Sequence, residues 1–253
     1  MITGRINQLY HTRSRRTFPK DLRDLLDLAP VAPQFVGMNK QFVRAGIVMK
    51  LLNSLPFDAF LETGTNKGST SLLVASQTAL PVLSCEVDEA FLRSARRRLF
   101  FLRGRVKFFH ADSREFLTSA LRDHSLKCPF IYLDAHWQED LPLRGELAII
   151  REFTGDCVVM IDDFRVPSDP GFGWDTYGDV DLEWSYVKPE FENFSRPLSV
   201  LFPSYPSSIE TGYRRGWVLL ACGKFAESVR NIVPSTLLRA LPDALESTAA
   251  KAE

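Results

Sequence analysis

The sequence predicts an α/β fold, a mostly parallel sheet with helices on both faces. Three observations predict it. From residue 58 onward, short apolar runs of strand length alternate with stretches of helical periodicity. The first run, Phe60-Leu61-Glu62-Thr63-Gly64-Thr65-Asn66-Lys67-Gly68, passes from a strand through a glycine turn into a helix start. Successive runs also end on acids: Glu62, Glu86, Asp112 just past its strand, Asp134, and the pair Asp162-Asp163. On parallel strands such a row falls along a single rim.

Length and charge bound the alternatives. At 253 residues the chain can bury a full core, as one large domain with appended segments. Its 31 Lys+Arg balance 31 Asp+Glu, so no net field draws it to nucleic acid or acidic lipid. No apolar run reaches about 18 residues, and no apolar core follows the basic start (Arg5, Arg13, Arg15, Arg16, Lys20). A cytoplasmic protein without nucleic-acid or membrane partners is expected. Cys85, Cys128, Cys157 and Cys222 lie far apart, three of them in or beside apolar runs, which predicts reduced thiols rather than a zinc site.

Residues 1–57 read as an N-terminal helical extension. A short helix at 21–26 is broken by Pro30 and Pro33. A stronger one over 37–55 carries Val43, Ile47, Val48, Leu51, Leu52 and Leu55 at helical spacing. The extension is a candidate contact for a homodimer. The main domain spans 58–232. Its strands are predicted at 58–62, 82–87, 106–110, 130–134 and 157–162. One helix begins at Gly68. The next has Asp88 as N-cap and buries Phe91, Leu92, Ala95, Leu99 and Leu102, leaving Arg93, Arg96, Arg97 and Arg98 as a solvated face. A third follows Asp112, and a fourth opens near Asp140-Leu141-Pro142 with Leu143, Leu147 and Ile150 on one side. Single helices between strands imply right-handed crossovers and parallel pairing. Two more strands, at 198–202 and 217–222, are separated only by a loop with Pro203, Pro206 and Gly212, which predicts a hairpin and an antiparallel last strand. The segment 165–180, rich in Pro and Gly with Phe172, Trp174 and Tyr177 interleaved, reads as a lid over an acceptor pocket. Residues 233–253 read as a C-terminal tail.

Open α/β sheets bind ligands beyond the carboxyl ends of their strands. The spacing Glu62-x-Gly64-x-x-x-Gly68, with Glu86 roughly 20 residues on, resembles the first motifs of class I S-adenosylmethionine-dependent methyltransferases. Their Rossmann-like, seven-stranded, mostly parallel sheet has an antiparallel last strand, as predicted here. Carried over, Glu86 binds the ribose hydroxyls and Asp112 with Ser113 reads the adenine edge. Glu62 faces the amino end of the methionine moiety, Gly64 and Thr65 give close backbone contact, Gly68 starts the helix, and Asp134 closes the cofactor site. Asp112 has a plain alternative as a helix N-cap. A nicotinamide dehydrogenase also wants an acid at that distance but needs a third glycine, where Thr65-Asn66-Lys67 place side chains.

The next two strands should be neighbours, which brings Asp134 and Asp162-Asp163 together. Three carboxylates in one space raise each other's pKa unless a cation sits among them, and hard oxygen donors suit Mg²⁺ or a similar divalent ion. Over residues 58–180 the pattern resembles the metal-dependent O-methyltransferases of the macrocin O-methyltransferase and cephalosporin-hydroxylase-like branch. That resemblance implies Asp134, Asp162 and Asp163 as metal ligands. The plain alternative has Asp134 capping a loop and the acidic pair binding a backbone turn. His136 follows in the same loop and is a candidate proton acceptor, with a structural role as its alternative. The expected function is metal-assisted O-methylation of a small-molecule hydroxyl, catechols and sugar diols chelating best. A non-methylating relative that kept the cofactor pocket is the second expectation, because a fold does not dictate its reaction.

Overall fold

The computed structural model describes residues 37–123, 125–135, 141–192 and 194–241. The helix expected at 21–26, the basic arm before it, His136, Asp140 and the chain beyond 241 lie outside them.

The chain forms a 3-10 turn at Met38–Lys40 and then α1 (Phe42–Ser54), β1 (Ala59–Thr63), α2 (Ser69–Gln77), β2 (Val82–Glu86), α3 (Glu89–Arg98) and β3 (Val106–His110). Next come α4 (Ser113–Asp123), β4 (Pro129–Leu133), α5 (Leu143–Glu152), β5 (Cys157–Asp162), β6 (Thr176–Tyr177), β7 (Val180–Asp181) and α6 (Trp184–Val187). The chain closes with β8 (Leu198–Pro203), β9 (Trp217–Cys222), α7 (Phe225–Ile232) and β10 (Leu238–Ala240). Every strand expected from apolar runs is present. β1, β2, β4, β5 and β9 are buried at each position, because helices cover both faces of the sheet.

The sheet runs β10-β8-β9-β5-β4-β1-β2-β3. β3, β2, β1, β4 and β5 are parallel, and β9 pairs antiparallel with both β5 and β8, the expected hairpin. The sheet has eight strands, not seven. β10 adds to the edge by pairing antiparallel with β8. It lies in the segment read as a tail, where Val233, Leu237, Leu238 and Leu241 are buried. Three residues are too few to show a period of two, so the strand left no pattern in the sequence.

α3 begins as expected: the Asp88 carboxylate accepts from the Ala90 and Phe91 N–H groups, and Leu92, Ala95 and Leu99 are buried. Arg93, Arg96, Arg97 and Arg98 are exposed, Arg93 pairing with Glu89 at 3.0 Å. α1 belongs to the core. Val43, Arg44, Ala45, Gly46, Ile47, Val48, Met49, Leu51 and Leu52 are all buried, and α1 packs on α7. Its N-terminus lacks a local cap. Glu210 supplies one, Oε1 accepting the Val43 N–H at 3.1 Å and Oε2 the Arg44 N–H at 3.2 Å. The four cysteines are free, three of them buried. No helix among the described residues is long and apolar enough to cross a membrane.

Candidate functional site

Sheet order reverses between β1 and β4, and the ends of β2, β1, β4 and β5 meet on one edge. Glu86 and Asp134 therefore flank the end of β1. Glu86 Oε2 accepts the Asn66 N–H at 2.7 Å and Oε1 accepts the Asp88 N–H at 3.0 Å. This fixes the carboxylate and leaves about one lone pair on each oxygen, an acceptor pair suited to two vicinal hydroxyls. Two strands' width away, Ser113 is buried and its hydroxyl has no partner among the described residues. A buried hydroxyl of that kind is satisfied only by a ligand or water. Both observations fit an adenosyl group.

Asp112 has the bonding of a cap. Its Oδ1 accepts the Arg114 N–H at 2.8 Å and its Oδ2 the Arg114 guanidinium at 2.7 Å, and those bonds hold its pKa below the usual carboxylate range.

The residues of the first turn face inward rather than toward a ligand. Glu62 is buried and accepts from Ser71 Oγ at 2.5 Å and Ser84 Oγ at 2.6 Å. Burial raises its pKa to about 7, against the pull of those hydroxyls. Thr65 Oγ1 lies 2.6 Å from Ser84 Oγ and donates to the Cys85 carbonyl at 2.9 Å. Gly68 adopts φ 71° at the start of α2, where a Cβ would meet Ala95 and Leu99 of α3. Gly64 has φ 79°, and a Cβ there would stand 2.0 Å from the Asp134 carbonyl oxygen. Close backbone approach at Gly64 was expected, but the neighbour it admits is the end of β4, not a ligand.

The acid cluster forms as expected: Asp134, Asp162 and Asp163 each offer an oxygen within 4.8 Å of the others. Its charge is already answered from within the chain. Asp162 Oδ1 accepts from Arg44 Nη1 at 2.6 Å and from the Asp163 N–H at 2.7 Å. Asp162 Oδ2 accepts from Asn39 Nδ2 at 3.1 Å and from the Tyr132 hydroxyl. Four donors fill the four lone-pair sites of that carboxylate. Asp163, at φ 51°, accepts from Arg215 Nε at 2.5 Å, and Arg215 reaches on to Asp175 in the lid segment. Asp134 is the member without a guanidinium on its carboxylate among the described residues. Burial first, and then the charges of Asp162 and Asp163, raise its pKa well above the ordinary value. Two guanidinium groups among three carboxylates leave one net negative charge and no open oxygen on Asp162. That donor set does not fit a three-carboxylate cage for a divalent ion. The expectation that Asp162 is a metal ligand gives way to its ion pair with Arg44.

Sequence reasoning missed Arg44, Asn39, Tyr132 and Arg215. The signal for Arg44 was present: it lies on the apolar stripe with Ile47, Val48 and Leu51, and a charge there demands a buried partner. Arg44 is 0% exposed, and its guanidinium also donates to Gln41 Oε1 at 3.0 Å and to the Tyr132 oxygen at 3.2 Å. It lies 5.4 Å from the Tyr132 ring and 5.9 Å from that of Trp217. Above it, Met38, Asn39 and Lys40 hold φ of 49°, 61° and 62°. Three successive side-chain-bearing residues in the left-handed region are strained.

The lid segment is an ordered hairpin, β6–β7, tied down by Thr176 to Asp181 at 2.6 Å and Arg165 to Glu183 at 3.0 Å. Tyr177 is half-buried on it, its pKa raised to about 12 by burial and then by Asp163 and Asp134. A cavity of about 280 Å³ lined by Trp184, Phe191, Val200 and Leu241 lies off this rim, against β8 and β10.

No protein-family model and no curated protein matches the sequence. Solved structures do match in shape. The O-methyltransferase TomG from Streptomyces achromogenes, involved in tomaymycin synthesis and solved with S-adenosylmethionine, has 16% identity, a TM-score of 0.51 and coverage of 88% of this chain and 96% of its own. A caffeoyl-CoA O-methyltransferase candidate from Staphylococcus aureus has 14% identity, a TM-score of 0.50 and coverage of 87% and 98%. The methyltransferase domain of bacterial CtHen1 has 16% identity, a TM-score of 0.50 and coverage of 74% and 100%. At these identities the likeness is one of fold, and the chain has the Rossmann-like α/β fold found in S-adenosylmethionine-dependent methyltransferases.

Proposed function

We propose that this protein is an S-adenosylmethionine-dependent methyltransferase acting on a hydroxyl oxygen of a small molecule, with Asp134 as proton acceptor. One observation carries the reading: Glu86 and Asp134 stand on either side of the β1 end, one fixed with open acceptor sites, the other without a cationic partner. The fold found among named methyltransferases supports it, and so does the unpartnered Ser113 hydroxyl.

S-adenosylmethionine, when bound, supplies an electrophilic methyl group. The chain's share of the work is placement and one proton. Glu86 takes the ribose hydroxyls. The crowded Gly64–Asp134 contact sets the floor of the site. An acceptor oxygen held near Asp134 has its proton drawn to Asp134 Oδ as the oxygen becomes nucleophilic. Holding two reactants at attack distance is worth about 7–11 kcal/mol, so positioning outweighs any single side chain. A carboxylate with a raised pKa is a better base for a hydroxyl than an ordinary one. The β6–β7 hairpin covers the acceptor side, with Tyr177 near the acids. No step requires a metal, because the ion's place among the acids is held by guanidinium groups.

Isothermal titration with S-adenosylmethionine tests the cofactor, and transfer of a labelled methyl group to catechols and glycosides tests the reaction. Saturable binding and transfer are expected. An absence of binding at millimolar cofactor would overturn the proposal, and binding without transfer would favour the non-methylating relative.

A further inference from the structure

The Arg44–Asp162 pair is a poor investment if stability is all it provides. Burying two charges costs several kcal/mol per ion in desolvation, and apolar residues of equal volume commonly do as well. Arg44 Nε is also buried without a partner among the described residues, a further loss. Reaching Asp162 with Asn39 requires the three left-handed residues of the preceding turn. Burial alone would lower the pKa of Arg44, yet the charge and hydrogen bond of Asp162, with a contribution from Asp134, raise it. The guanidinium is therefore permanently charged, and its field reaches the carboxylate proposed to take the proton.

We propose that Arg44 is the resident cation of this cluster, doing from within the chain what a divalent ion would do among three bare carboxylates. It is a positioning residue. It neutralises Asp162 and holds that acid away from the acceptor, so that Asp134 alone faces the substrate oxygen. Arg215 does the same for Asp163 and links it to the lid through Asp175. The inference deepens the proposed function and rests on it for the identity of the substrate side. The ion-binding behaviour it implies stands on geometry alone. The folded chain has no need of a divalent ion at this site, and the acids become an ion site only when the guanidinium is removed.

Mn²⁺ binding to the full chain, followed by electron paramagnetic resonance and calorimetry without cofactor, is the test. The unaltered protein is expected to show no saturable Mn²⁺ site at this cluster. Arg44→Met, which keeps length and removes charge, is expected to bind one Mn²⁺ more than about ten-fold tighter, since a unit charge at contact distance is worth more than that factor. Arg44→Lys retains the cation and is expected to behave as the parent. A one-to-one Mn²⁺ site in the unaltered protein that vanishes in Asp134→Asn would overturn the inference, as would equal Mn²⁺ affinity in folded Arg44→Met. Should Arg44→Met not fold, the parent and Arg44→Lys titrations still decide. Failure to bind S-adenosylmethionine would sink the proposed function and leave these titrations untouched.

Discussion

A Cβ on Gly64 would stand 2.0 Å from the carbonyl oxygen of Asp134. The turn after β1 and the end of β4 are thus pressed together where sheet order reverses, and both sides of the contact are backbone. Neither can move without moving a strand end. The position of the proton acceptor is set by what Gly64 lacks.

Gly64→Ala should therefore be severe. It adds a methyl against backbone at φ 79°, where side-chain-bearing residues are strained. A loss of about 2–4 kcal/mol of stability is expected. Methyl-transfer rate should fall more than stability alone accounts for, because Asp134 is displaced. Urea unfolding beside an activity assay checks both, and an unchanged rate in folded protein would contradict the contact.

Glu86→Gln replaces one acceptor oxygen with an amide NH₂ that faces the N–H of Asn66 or Asp88. Lost bonds of this kind cost about 1–3 kcal/mol, so cofactor affinity should drop about 10- to 100-fold. Calorimetric titration measures it. Native affinity in the variant would remove Glu86 from the cofactor site.

Asp134→Asn keeps the shape and removes the base. Proton-transfer groups contribute about 10²–10⁴ in rate, and a loss in that range is expected while cofactor affinity changes little. In the parent, rate should rise with pH as Asp134 ionises, at a pH above the ordinary carboxylate range. The pH–rate profile of the variant should lose that limb, and a surviving limb would assign it to another group.

Glu62 offers a test of the fold without any ligand. Its pKa is about 7 in the folded chain against 4.5 ordinarily, with burial the main cause. Between those values the folded chain keeps a proton that the unfolded chain has released, so stability falls as pH rises through the window. The full effect is on the order of 3 kcal/mol. Thermal melts from pH 5 to 8 should show the decline, and Glu62→Gln should flatten it. Asp134 contributes with the same sign. Asp112 titrates below the window, because its pKa is lowered. An equal decline in Glu62→Gln would refute the assignment.

Some of the site was legible because its signals are local. The Glu-x-Gly-x-x-x-Gly turn, Glu86 at a strand end and Asp88 at a helix start sit within one or two elements, and each is where it was expected. The convergence of Asp134, Asp162 and Asp163 followed from neighbouring parallel strands. What those residues bond to was not legible. Asp112 turned to its own helix, Glu62 and Thr65 turned to serines, and Gly64 met a carbonyl rather than a ligand.

By itself the sequence determined the alternation of strands and helices, the rim of acids and the turn that begins it. Periodicity and turn chemistry act between residues close in the chain, so they can be read in order. Only the tertiary structure decided the charge of that rim. Arg44 and Asp162 are 118 positions apart, Arg215 and Asp163 are 52 apart, and Glu210 caps a helix from 167 positions away. Electrostatics and burial depend on distance through space, which is set only once α1, the lid and the β8–β9 hairpin have closed around the strand ends.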